Sequence, residues 1–114
     1  MLTIEKMKEI GANTDEGMNR CMNNEAFYLR MVKLAVSDNS FEQLKEAIEN
    51  KDLDKAFDRA HAMKGVLGNV SLTNVFEPVS QMTELLRSRT DMDYSELLDK
   101  LFTELDKYRT LIEE

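Results

Sequence analysis

The chain has 114 residues, of which 42% are apolar and 32% charged, and carries a formal net charge of −7. That suits one domain with a buried core, and it excludes a disordered tail or a run of apolar residues long enough to span a bilayer. The acidic balance argues against nucleic acid or an anionic membrane as partner, since both need a basic surface.

The amino terminus, MLTIEKMKEI, mixes acidic and basic residues and has no apolar segment of signal-peptide type. The single cysteine, Cys21, has no internal partner for a disulfide. Both features lead us to expect a cytoplasmic protein. Abundant helix formers, one proline, four glycines and no sustained apolar–polar alternation predict an all-α chain.

Two short helical pieces are expected near residues 3–10 and 14–22, the second capped at Thr14 with acidic residues in its first turn. From Asn24 the apolar series Phe27, Met31, Leu34, Phe41, Leu44 and Ile48 steps by three or four, apart from one polar interruption at Asp38. One long helix from about Asn24 to Asn50 explains it best, with a break near SDNS (37–40) as the alternative. The next helix begins near Asp52 or Asp54 and turns Leu53, Ala56, Phe57, Ala60, Met63, Leu67 and Val70 inward. A third is signalled by TNVFEPV: Thr73 or Asn74 can cap it, Glu77 completes a capping-box pattern with Asn74, and Pro78 removes at most one helical bond. Its core residues are Val75, Val79, Met82 and Leu86. The fourth, from about Tyr94 to Ile112, turns Tyr94, Leu97, Leu98, Leu101, Leu105, Tyr108 and Ile112 inward. The fold expected is an antiparallel up-down four-helix bundle over 24–113, preceded by one or two short helices, in a single domain 1–114.

The stretch RAHAMKGVLGN, residues 59–69, holds the only histidine and two of the four glycines. At 100° per residue, His61 lies roughly 120° from the centre of the core face of its helix, on the flank. Asp54 and Asp58 precede it on that stripe, Gly65 and Gly68 follow it, and Lys64 is a surface neighbour one turn on. Each glycine costs the helix roughly 1 kcal/mol relative to alanine, so the stripe is not arranged for helix stability. An exposed imidazole is largely neutral in the cytosol and presents a nucleophilic lone pair. The Lys64 ammonium is placed to offset the charge of a phosphoryl group, and the bare backbone at Gly65 and Gly68 leaves room for a partner.

AHAMKG, in a helix that follows a long helix and the acidic turn ENKDLDKA, resembles the His-x-x-Lys-Gly hallmark of the histidine-containing phosphotransfer (HPt) domain family. GANTDEGMNRCMNNEAFYLRMVKLAV is similar to that family's amino-terminal portion and GNVSLTNVFEPVSQMTELLR to its third-helix region, with residues 11 to 90 most clearly alike. The resemblance implies a phosphorelay intermediate with no catalytic apparatus of its own. His61 would accept the phosphoryl group, Lys64 would offset its charge, and Gly65 would keep the approach open. The partners would be the receiver domain of a response regulator and a histidine kinase or hybrid kinase. The receiver would supply Mg²⁺, so this chain would need no cofactor. Arg87 matches a position often polar or basic in the family, on the flank that also carries Phe76, Ser80 and Thr83. In the family the short helix of Met18 and Met22 borders the docking face, and methionine adapts well to such surfaces.

Partner-facing residues are therefore expected at Met18, Met22, Asp58, Gly68, Phe76, Thr83 and Arg87. Met18, Met22 and Phe76 read more commonly as core residues, Gly68 equally as a packing glycine, and Asp58 as solvated, with a hydrogen bond to the imidazole as the alternative. Ser71 replaces a frequent glycine of the family, and Thr83 stands where a longer Glu or Gln is common. One histidine and one cysteine make no typical zinc site, so no metal is expected. No nucleotide-binding glycine pattern or nucleophile elbow suggests a free-standing enzyme. A phosphocarrier acting as a monomer is the leading expectation. A helical adaptor with the same fold, binding its partner without phosphotransfer, is the alternative.

Overall fold

The computed structural model describes residues 1–114 as seven α-helices: α1 Ile4–Glu9, α2 Thr14–Arg20, α3 Glu25–Ser37, α4 Ser40–Glu49, α5 Leu53–Asn69, α6 Thr73–Arg87 and α7 Ser95–Glu113. Four of them start on a polar side chain that accepts a backbone N–H of the first turn, the standard remedy for unpaired donors there. Thr3 accepts from Lys6, Asn13 from Glu16, Asn24 from Phe27 and Asp52 from Lys55. The cap of α2 is thus Asn13, whereas Thr14, the expected cap, is buried as its first helical residue. That helix ends at Arg20, so Met22 lies beyond it, with φ 57°.

The expected long helix is two. Asp38 is extended (φ −67°, ψ 136°), and its carboxylate accepts the Ser40 N–H at 2.7 Å, which starts α4 afresh. The carbonyls left open at the end of α3 are met from α7. Arg109 donates Nε to the Val36 carbonyl at 2.7 Å and Nη2 to that of Asp38 at 3.3 Å, and the same guanidinium pairs with Glu42 at 2.6 Å. The break frees α3 from the register of α4. Its buried residues are Tyr28, Val32, Ala35 and Val36, while Phe27 and Leu34, expected inside, are 40% and 61% exposed. In α4 the expected Phe41 and Leu44 are buried, with Ala47.

The expected capping box of α6 does not form. Leu72 stands at its N-cap without a side-chain bond, and Asn74 is used elsewhere. Its amide donates to the Ile10 carbonyl at 2.8 Å and to Glu104 at 2.9 Å, and accepts from the Tyr108 hydroxyl at 2.6 Å. One polar side chain so ties the end of α1, α6 and α7 together. Pro78 is buried inside α6, where its missing N–H removes one bond.

Helix α5 packs on α4 and α6, α6 on α7, and α7 on α3, with three-residue connections at 50–52 and 70–72 that make neighbouring helices antiparallel. One apolar core of 26 buried residues, from Leu2 to Tyr108, joins α1 to the helices from α3 to α7. It includes the expected α5 residues Ala56, Ala60, Met63 and Leu67, all four expected in α6, and Tyr94, Leu98, Leu101, Leu105 and Tyr108 at the carboxy-terminal end. The chain is the helical bundle with short preceding helices that its periodicity implied. No helix is long and apolar enough to cross a membrane.

Candidate functional site

The core face of α5 carries Ala60 and Met63 inward and so turns His61 out to solvent, midway along the helix. One turn earlier, Phe57 supports the imidazole, with ring centroids 5.5 Å apart and planes tilted by 60°. No side chain hydrogen-bonds the ring, and Asp58 beside it stays exposed. The histidine is open on its outer side and braced by an aromatic ring behind.

It borders a shallow depression of about 320 Å³, lined by His61, Lys64, Gly65, Gly68 and Asn69 of α5, Arg20 of α2 and Phe76 of α6. The two glycines are not there for packing. A Cβ built at Gly65 meets nothing within 4 Å, and one at Gly68 meets only the Phe76 ring, at an ordinary 3.5 Å. By contrast, a Cβ at Gly17 would collide with the Tyr28 ring, and that glycine is a packing glycine. The fold accordingly gains nothing from leaving residues 65 and 68 bare.

Lys64 and Arg87 stand at the edge of the site but do not reach His61. The Lys64 ammonium lies 3.6 Å from Oε2 of Glu84, and the Arg87 guanidinium lies 3.3 Å from the same oxygen. The Arg87 bond, and less strongly its charge and that of Lys64, hold the exposed Glu84 carboxyl below its ordinary range. Arg87 also stacks on Phe57, 5.2 Å from the ring centroid, and Arg89 stacks on the same ring at 4.8 Å while bonding Asp54 at 2.6 Å.

The structure distributes the other expected partner-facing residues unevenly. Phe76 lines the depression half-buried, and Met18 is half-buried against the core. Met22 is 89% exposed but stands away from the histidine's depression. Thr83 is corrected outright: it is fully buried, its hydroxyl donates to the Val79 carbonyl at 2.7 Å, and it offers a partner no surface. It stands between Val79 one turn before and Leu86 one turn after, on the face of α6 that both bury.

Three features were missed from sequence. Arg20, held to Glu16 at 3.2 Å, reaches the depression from α2, and Glu84 reaches Lys64 from α6. Both juxtapositions cross between helices and leave no local spacing to read. The third is apolar: Phe27, Met31, Leu34 and Val66 line two further hollows that share Asn69 and Val70 and join the histidine's depression at Arg20 and Asn69. No three His, Cys, Asp or Glu side chains converge so as to hold a metal ion.

Such an arrangement offers a single nucleophile, a nearby ammonium and an apolar margin. It has no acid, base or donor array of its own around the ring, so the transition state of any group transfer must be completed by what docks on it. Among known families, the model described as Hpt domain matches residues 32–113. No curated protein and no solved structure matches the chain.

Proposed function

Since this chain belongs to the Hpt domain family, we propose that it is a phosphocarrier whose His61 takes a phosphoryl group from the aspartate of one receiver domain and passes it to that of another. The observation that carries the assignment is the open imidazole beside Gly65, where a Cβ would meet nothing within 4 Å. In the forward step a ring nitrogen attacks phosphorus as the acyl O–P bond breaks. The electron pair leaves on the aspartate carboxylate, so no proton need be supplied. The reverse step returns the group by the same path.

Phosphoryl transfer demands alignment and charge stabilisation more than covalent help. A stiff helix supplies the first, and Lys64 contributes to the second. The Mg²⁺ that such a transfer uses is assigned in this reading to the receiver domain. The chain is thus a substrate of its partners, acting as a monomer in the cytoplasm, rather than an enzyme. The apolar hollows around Phe27, Met31 and Val66, continuous with the histidine's depression, support docking of the receiver on the α2–α3–α5 side.

The test is incubation of the chain with receiver domains carrying labelled phosphate. Label that is acid-labile and alkali-stable is expected on the wild type and absent from His61→Gln. Equal labelling of that variant removes His61 from the mechanism. No labelling by any receiver, with partner affinity unchanged by His61→Ala, supports the adaptor instead.

A further inference from the structure

One carboxylate oxygen, Oε2 of Glu84, serves both cations at the edge of the site: the Lys64 ammonium at 3.6 Å and the Arg87 guanidinium at 3.3 Å. The two are not held alike. Arg87 lies one turn along the same helix and also stacks on Phe57. Lys64 reaches across from α5, three residues after His61, and has no other ionic partner. Its long flexible stem lets the ammonium swing, whereas the stacked guanidinium is fixed.

Resting on the phosphocarrier reading above, we propose that Glu84 is a positioning residue that holds Lys64 aside while His61 is bare and competes with the phosphoryl group for that ammonium. It thereby sets how tightly the protein keeps the group.

The physics favours an exchangeable contact. The pair is open to solvent on its Glu84 side, with 58% of that side chain and 32% of the Lys64 side chain exposed, and ion pairs so open to water are weak enough to re-form on a new partner. A phosphoryl group brings up to two negative charges and three acceptor oxygens within reach of a residue one turn away. When it arrives, Lys64 can leave Glu84 without stranding a charge, because Arg87 still neutralises the carboxylate. When it departs, the carboxylate takes the ammonium back. The arginines and Phe57 remain in place throughout, so the exchange needs one side chain to move and no helix.

A small donor tests this without a cognate partner. The full chain is treated with phosphoramidate, whose P–N bond breaks as the His61 N–P bond forms. Ammonia leaves with the electron pair, and the ratio of phosphohistidine to unmodified protein at equilibrium is read by phosphorus NMR. Glu84→Gln is expected to raise that ratio about threefold, the scale of one exposed ion pair, and Lys64→Met to lower it. In the Lys64→Met background Glu84→Gln should change it little, a coupling that a merely structural role of Glu84 would not produce. A labelled wild type whose ratio is unaltered in Glu84→Gln overturns the role of Glu84 alone, as does a gain that persists in full without Lys64. A wild type that takes no label, or a His61→Gln that takes as much, overturns the phosphocarrier reading and the proposal together.

Discussion

At the scale of single residues, Gly65 separates function from stability most sharply. Its position mid-helix costs roughly 1 kcal/mol against alanine, and the fold has space for a methyl group there. Gly65→Ala should therefore raise the stability to urea by up to about 1 kcal/mol while slowing phosphoryl exchange with a receiver, whose active site must close over that spot. A variant both more stable and equally fast would show that the opening is not used. Gly17→Ala should do the reverse of stabilise, because its methyl group lies on the Tyr28 ring; overpacking of that kind costs about 1–3 kcal/mol in the same titration. Much at this scale was legible in sequence. His61, Lys64 and Gly65 are neighbours on one helix surface, and helix geometry alone puts them together. Glu84 and Arg20 were not legible, since each meets its site only after α6 or α2 packs on α5, and Thr83 was misplaced for the same reason.

At the scale of elements, the informative place is the break between α3 and α4. Asp38 interrupts the apolar stripe, and that was the visible sign of a helix that stops. The stripe of Phe27, Met31 and Leu34 reads on across it as one helix, and that continuity carries the wrong inward face for α3. What decides the matter is Arg109, seventy-one residues beyond Asp38, which meets the freed carbonyls. Arg109→Met should destabilise the protein by about 1–3 kcal/mol by leaving the part-buried Val36 carbonyl unpaired, measured by urea titration. An unchanged midpoint would mean that water replaces the guanidinium without loss. A smaller effect of opposite sign is expected at the α4–α5 turn. Lys51 sits there at φ 57°, a conformation that favours glycine, and Lys51→Gly should stabilise by about 0.5–1 kcal/mol.

At the scale of the whole molecule, the all-α class and the order of helices followed from composition and periodicity, because those depend on sums over many residues rather than on any one contact. The response to pH is also a sum. Glu42, beside Arg109, and Asp38, which accepts from Ser40, have carboxyls held below their ordinary values of 4.5 and 3.8, as does Glu104 through Lys107 and Asn74 against the effect of burial. A lowered folded value means that the stabilisation is present above the ordinary value and is lost as pH falls through the folded one. The melting temperature should thus hold near neutrality and drop as the solution is acidified below about pH 4.5, less steeply in Arg109→Met. At the alkaline end the sign reverses. Burial pushes the Tyr28 hydroxyl up from 10 to about 12, so its contribution is intact below pH 10 and disappears as pH rises through about 12. A profile flat in acid would contradict the assignment of these ion pairs.

The interruption at Asp38 has a mechanical consequence. Arg20 and one wall of the apolar hollows, Phe27, Met31 and Leu34, belong to the segment before it, whereas His61, Lys64 and Gly65, with the opposite wall of Val66, Asn69 and Val70, belong to the part after it. Amide protons of α2 and α3 should accordingly exchange with deuterium sooner than those of α5, through local openings that leave the rest folded. His61 then rides on the slow half, and one wall of the proposed docking surface on the quick half. A visitor can be gripped and let go without the imidazole ever losing its footing.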